Sequence, residues 1–253
     1  ELMIKFFRKI RQNMLNEGKT GKYFKYAIGE IMLVVIGILI ALSINTWNEN
    51  RKIRQSEQEI LQNLKSDLLI NKDRLNGILK KRSKEFDSGI YALKLFNTDI
   101  STIPIQKLDS ILLDIEMVWT FEASDGTIKS LISSGKIDHI QSEKLKSLLS
   151  SFEGDVINAT QDVSSLQLLV NQRLWPAIDG KINSSNRIRQ IELHKDIPMG
   201  SYTSDYTWFF KNREMEDVIS NIVTWKKSIL EDEEQLKEKI DQMILLVENE
   251  LEK

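Results

Sequence analysis

The sequence predicts an all-α protein in which one N-terminal transmembrane helix continues into an exported bundle of long helices. Three observations carry that expectation. An apolar run spans Ala27 to Ile44, AIGEIMLVVIGILIALSI, with Glu30 as its single acid. Beyond it, apolar residues recur at intervals of three, four and seven, which gathers them on one side of a helix. The 253 residues include only 3 prolines and 11 glycines, so few positions interrupt helical structure, and no β-hairpin pattern appears.

Composition narrows the partners. A net charge of −2 lacks the Lys and Arg surplus that phosphate binding demands, so nucleic acid is not expected. The absence of cysteine excludes disulfides and thiolate metal sites, and is compatible with a periplasm or a cytosol. After the membrane segment roughly 200 residues remain, enough for one soluble domain or two small ones.

At 1.5 Å per residue the apolar run covers roughly 27 Å as a helix, close to the ~30 Å hydrocarbon layer of a bilayer. Lys5, Arg8, Lys9, Arg11, Lys19, Lys22 and Lys25 precede it, against Arg51, Lys52 and Arg54 soon after it. Basic residues stay inside, so the N-terminus is expected in the cytoplasm and everything after Trp47 outside the inner membrane, in a bacterial periplasm. A cleaved signal peptide is the competing reading, with Ala41-Leu42-Ser43 as its processing site. The long basic leader and the length of the apolar run argue against it. Tyr23, Phe24 and Tyr26 at one end and Trp47 at the other suit the headgroup layers. Upstream, Met3, Phe6, Phe7, Ile10 and Met14 recur at helical spacing among basic residues. That pattern fits an interfacial amphipathic helix, or else a basic leader that only sets topology, with Met3 a candidate native start. The expected organisation is a cytoplasmic basic segment over 1–22, a transmembrane helix over 23–47 and an exported helical bundle over 48–253.

Glu30 has two readings. Near the cytoplasmic end its carboxylate can reach the interface and meet Lys22 or Lys25. Alternatively it shares one helical stripe with Gly37, Ala41 and Ile44, and the small pair Gly37 and Ala41 admits a second helix, so Glu30, Gly37 and Ala41 form an oligomer or partner seam. The partners expected are therefore the lipid bilayer and either a homo-oligomer or another membrane protein.

The residues KYFKYAIGEIMLVVIGILIALSINTWNENRK, Lys22 to Lys52, with the leader MIKFFRKIRQ from Met3 to Gln12, resemble the signature of an uncharacterised bacterial domain-of-unknown-function family of small single-pass inner-membrane proteins. A weaker echo is SDGTIKSLISSGKIDHI, Ser124 to Ile140. The resemblance implies a single-pass anchor with an exported helical domain, and brings no catalytic residues with it.

In the exported region, Ile53, Ile60, Leu61, Leu64, Leu68, Leu75 and Leu79 predict a long helix running from the membrane to about Phe96. NTDISTIP, Asn97 to Pro104, breaks it, and Pro104 suits the first turn of a helix carrying Leu108, Ile111, Leu112 and Ile115. Ser124 or Asp125 can cap a short helix that Gly135 stops. The small polar turns there also suit a ligand site, though capping accounts for them. Ser142 begins another helix with Leu145, Leu148, Leu149 and Phe152, continuing past Gly154 to Trp175 and ended by Pro176. Gly180 to Gly200 reads as a long irregular connection or a mobile excursion. Ile219, Ile222, Ile229, Leu236, Ile240, Met243 and Val247 predict a last long helix over Glu214 to Glu250. Lys226 and Glu233 interrupt its seam, which favours a bundle helix with one wet turn over an uninterrupted coiled coil.

Catalytic signatures fail one by one. Gly18-Lys19-Thr20 resembles the end of a phosphate loop, but Asn13 stands where its first glycine belongs. His139 and His194 are the only histidines and have no ligand spacing around them, so no metal is expected. No G-x-S-x-G or cysteine nucleophile exists. Asn158 and Asn183 begin glycosylation-type triplets of a kind that arises by chance. The aromatic patch Tyr202, Tyr206, Trp208, Phe209 and Phe210 is expected as core where the last helix joins the bundle, with a partner or ligand patch as the second reading. The functional expectation is a non-enzymatic, cofactor-free interaction, scaffold or accessory subunit. The alternative is a ligand-sensing or envelope-signal domain acting through a partner.

Overall fold

The computed structural model describes residues 20–252, and all regular structure among them is helical. The interfacial helix expected over Met3 to Met14 lies outside the described residues. The chain divides into two compact units, one ending at Glu57 and one beginning at Gln58. Helix α1, Thr20–Leu95, is a single element of 76 residues that contributes to both.

The first unit is the N-terminal part of α1. Its side chains from Ile31 to Trp47 are all exposed, because the helix is apolar around its whole circumference and buries no face against protein. An 18-residue window of α1 has a mean hydropathy of 2.6 and is not buried at all, long and apolar enough to cross a membrane.

The second unit is built on three long helices: the rest of α1, α4 (Glu143–Leu169) and α8 (Arg213–Leu251). Between them lie α2 (Ile105–Glu116), α3 (Gly126–Ser133), α5 (Trp175–Ile178), α6 (Ser184–Ile188) and α7 (Tyr206–Lys211). Along α1 the buried positions Leu61, Leu64, Leu68, Asn71 and Leu75 alternate at three and four residues, and so do Met215, Ile219, Ile222, Lys226, Ile229 and Glu233 on α8. α1 and α8 run antiparallel, so that Leu61 to Leu75 pack with the C-terminal half of α8 while the Met215 to Glu233 stripe lies along α1 from Arg82 onward. Lys65 pairs with Glu248 at 2.8 Å, Lys72 with Asp241 at 2.7 Å and Arg82 with Glu233 at 2.7 Å. Further along, Gly89 lies so close to Val223 that a Cβ would stand 2.5 Å from its Cγ2, so only glycine permits this approach. Each fully buried leucine of the stripe contributes about 1.5–3 kcal/mol from burial.

Local chemistry sets the helix ends. Asn97, with φ of 58°, turns the chain after α1, and its N–H donates to the Phe210 carbonyl at 2.9 Å. Asn tolerates this left-handed backbone better than most residues. Asp125 stands at the start of α3 without a side-chain cap bond; its carboxylate instead meets Lys129 at 2.8 Å. Gly135 follows α3 with φ of 71°, as the stop signal there requires. Ser142 caps α4 by accepting from the Leu145 N–H, and Asn212 caps α8.

One sequence expectation needs correction and another needs refinement. Pro176 does not end its helix. The chain widens into one π turn, Val170–Leu174, in which the Trp175 N–H reaches the Val170 carbonyl, and helical backbone continues through Pro176 as α5. Gly180 to Gly200 is only partly regular, since much of it is turn and bend. It holds α6 and a short 3-10 turn, Glu192–His194, and is tied internally: Asn183 Nδ2 donates to the Tyr202 carbonyl at 2.8 Å and Gly200 N–H to Asn186 at 3.0 Å. Asn183 is buried and caps α6.

The apolar interior forms two clusters. One joins Leu61 to Leu75 with α3, the first half of α4 and the C-terminal half of α8. The other joins Ala92 to Phe96 with α2, the chain from Val163 to Ile182, α7 and the N-terminal half of α8.

Candidate functional site

The expected membrane residues lie on α1. Phe24, Tyr26 and Trp47 are exposed, and the Arg51 guanidinium sits 5.5 Å from the Trp47 ring centre. Nothing is described of the Tyr23 side chain. Gly37 and Ala41 face open space, and a Cβ at Gly37 would meet nothing within 4 Å; Glu30 is half-buried.

The aromatic patch is divided. Tyr206, Phe209 and Phe210 are buried, with Phe209 and Phe210 ring centres 5.0 Å apart and edge-on to each other, and both near Phe96. Trp208 is half-buried against the same cluster and Tyr202 is exposed. The five therefore make no single surface, and three of them cannot be reached from outside.

Charge enters the interior where the two apolar clusters meet. Lys226 and Glu233 do not form a wet turn, since both are fully buried. Glu233 accepts from Arg82 Nε at 2.7 Å and Nη2 at 2.8 Å, and Lys226 Nζ donates to Glu85 at 2.6 Å. The same cations also hold a non-helical segment: Arg82 Nη2 donates to the Trp119 carbonyl at 2.7 Å and Lys226 Nζ to the Met117 carbonyl at 2.7 Å. Buried Asn71 accepts from the Ser124 N–H at 2.6 Å and donates to the Ser124 carbonyl at 2.9 Å. Polar residues in the helix seams thus satisfy backbone groups between α2 and α3 that no helix or sheet ladder takes up. Burial pushes the Glu85 and Glu233 carboxyls up and the Lys226 ammonium down, against the attraction of their partners.

A second polar cluster adjoins a cavity. From α2, Glu116 accepts from Arg187 Nε at 2.7 Å and from Trp175 Nε1 at 2.9 Å. Two turns earlier on the same face of α2, Asp109 accepts from the Tyr206 hydroxyl at 2.6 Å; burial pushes that carboxyl up and the phenol well above its ordinary range. The cavity, about 430 Å³, is lined by Glu116, Arg187, Trp175, Ser184, Asp179 and His194 together with aliphatic side chains. Arg187 and Glu116 are almost wholly buried, yet Arg187 Nη1 has no hydrogen-bond partner. His194, which has no ligand spacing in the sequence, stands in this lining. Among the described residues no three His, Asp or Glu side chains are placed to hold a metal ion.

The charged seam and the segment it holds fall largely within one stretch of sequence. Residues 30–155 match the model of a family of unknown function, DUF6090. That match begins inside the apolar run and takes in Asn71, Arg82, Glu85 and the segment up to Ser124, along with the echo from Ser124 to Ile140. It stops short of the counter-charges Lys226 and Glu233 and of the Arg187 cavity. No curated protein and no solved structure matches the chain.

Sequence reasoning missed Asn71, Arg82 and Glu85 because it followed apolar residues alone. Continuing the three-four spacing from Leu61 through Leu75 leads straight to Arg82 and Glu85, whose signs complement Glu233 and Lys226. Glu116 and Arg187 had no such signal, because they meet only through the fold of the 175–206 excursion.

Proposed function

We propose that this is a non-enzymatic, membrane-anchored helical protein, with residues 1–22 in the cytoplasm, 23–47 across a bacterial inner membrane and 48–253 in the periplasm, where the bundle serves as an interaction or accessory subunit. The observation that supports it most is the wholly exposed apolar surface of α1 from Ile31 to Trp47, which only lipid or another apolar helix can cover. The basic residues before the run set the orientation. Self-association through Glu30, Gly37 and Ala41 belongs to the same proposal, because the face holding Gly37 has room for a neighbour. A reporter active only outside the cytoplasm, fused after Lys253, tests the topology; activity of a cytoplasmic reporter there overturns it. A detergent-solubilised mass of one chain, unchanged by Gly37→Ile, overturns the self-association.

A second reading is a ligand-sensing domain that acts through a partner. It draws support from the cavity between α2 and α6, where buried polar groups converge beside apolar walls. Co-purification of native-membrane proteins whose recovery changes when the cavity is filled would favour it over a plain scaffold.

A further inference from the structure

We infer that a second copy of this chain docks on the outer face of α4, in a parallel pair that sets each helix against its own equivalent. The inference deepens the interaction reading and rests on its membrane anchor for the direction of pairing. Along α4 the exposed residues Gly154, Ile157, Gln161, Ser164 and Leu168 follow one another at alternating intervals of three and four, the repeat of a seam between two helices. Ile157 is 59% exposed and Leu168 54%, and a Cβ at Gly154 would meet nothing within 4 Å, so no described residue covers this stripe. At 1.5 Å per residue it extends over roughly 21 Å.

Charge identifies the occupant. The 17 residues from Val156 to Gln172 carry one charged side chain, Asp162, which lies off the stripe and faces Asp232 of α8. Stretches of the same length carry seven in α1, Lys65 to Lys81, and ten in α8, Trp225 to Asp241. Depletion of charge marks the centre of an interface. A foreign partner can answer charge with opposite charge, but a parallel copy in register sets each residue near the axis against itself, where like charges repel. A face that meets its own equivalent must therefore be neutral, as this one is. Its polar groups suit the same pairing. Gln161 gives one amide N–H to Asn158 at 3.2 Å and keeps the other, with its oxygen, for its equivalent. Ser164 donates to the Gln161 carbonyl at 2.8 Å and Thr160 to the Val156 carbonyl at 2.9 Å, so neither hydroxyl proton is stranded when water leaves.

The direction follows from the bundle. α4 lies antiparallel to α8, with Asp155 against Lys239 at 2.5 Å and, just past its end, Arg173 against Glu214 at 3.5 Å, so it points the same way as α1. Copies whose α1 helices enter one bilayer in one sense therefore present α4 in one sense too. Confinement to that bilayer raises their effective concentration, which a seam of this length needs.

The chain has no cysteine, so single cysteines report contacts without background. The test oxidises Ile157→Cys, Ser164→Cys and Leu168→Cys, each alone in the full chain in native membranes, with copper phenanthroline; Glu231→Cys, on the exposed face of α8, is the control. Each α4 variant is expected to form a disulfide-linked dimer at least tenfold faster than the control. Rates equal to the control overturn the inference. So does a dimer that forms only when Ile157→Cys and Leu168→Cys chains are mixed, because that is the antiparallel pairing. Ser164→Lys sets two like charges at the axis from an exposed position, and should slow Leu168→Cys cross-linking at least tenfold with an unchanged denaturation midpoint; cross-linking at the parent rate overturns the inference. Cross-links that persist in Gly37→Ile support a contact of α4's own. A mass that falls to one chain with Gly37→Ile, while no α4 cysteine cross-links, leaves the transmembrane seam standing and removes this inference alone.

Discussion

The second unit holds two buried ion clusters that differ in what surrounds them. The layer of Arg82, Glu85, Lys226 and Glu233 is sealed between two apolar clusters, and most of its donors are spent on one another and on the Met117 and Trp119 carbonyls. The Glu116 and Arg187 pair is nearly as buried but forms part of a cavity wall. Burial alone therefore does not separate a sealed charge from one that borders open space. The neighbouring space does. Sealed charges act by fixing which residues of α1 and α8 face each other, because any sliding of the stripes would set a lone charge against leucine.

The sharpest way to break this contrast is Arg82→Ala, which strands Glu233 in the interior. It should cost about 3–5 kcal/mol of unfolding free energy, measured by chemical denaturation of the detergent-solubilised chain. Combining Arg82→Met with Glu233→Leu should recover at least about 2 kcal/mol of that loss, since removing both charges removes the desolvation penalty with them. No recovery would mean that the cation acts mainly through the Trp119 carbonyl. Asn71→Ala should cost about 1–3 kcal/mol, because Ser124 then loses both partners of its peptide, read by faster amide exchange at Ser124. Tyr206→Phe belongs to the cavity side and should cost about 0.5–1.5 kcal/mol, while raising the Asp109 carboxyl further by removing a bond that favours its charged form.

The smallest effect is on pH dependence. Folding raises Glu85 and Glu233 above their ordinary 4.5, so the folded chain binds more protons than the unfolded one as pH climbs past that value. Their contribution is complete below pH 4.5 and is lost as pH rises through the folded values. Lys226 is lowered from 10.5, so its contribution is complete above that and is lost as pH falls through its folded value. The sealed layer is thus least favourable between these limits. Glu233→Gln should flatten the decline in stability above pH 4.5, and a denaturation midpoint that still declines as in the parent chain would refute this.

Much of the fold was legible because its signals are local and periodic. Leu61, Leu64, Leu68 and Leu75 mark the buried face of α1 by spacing alone, and Gly135 and Ser142 mark helix ends through backbone chemistry that needs no distant partner. The wet turn expected at Lys226 and Glu233 failed for the opposite reason. Whether a lysine in a seam meets water or a carboxylate depends on a partner 141 residues away. The π turn before Pro176 was equally hidden, since proline at that point permits either a stop or a widened turn, and packing of the chain from Val163 to Ile182 into one cluster decides. The Arg187 cavity was the least legible of all, being assembled from α2, α5 and α6 with no shared motif.

The distances in sequence across the charged layer bear on the order in which the chain acquires structure. Synthesis delivers Arg82 and Glu85 early, while the residues that neutralise them, Glu233 and Lys226, arrive 151 and 141 positions later. Until α8 emerges, the Met117 to Ser124 segment has lost its lysine clamp and the seam of α1 presents unanswered charge beside bare leucine. A chain truncated after Asp155, containing the whole DUF6090 match, would stay caught in that half-built condition and be open to proteases and chaperones. The last helix is therefore the closing element of the bundle, and a nonsense codon anywhere before it is expected to remove the protein and not merely shorten it.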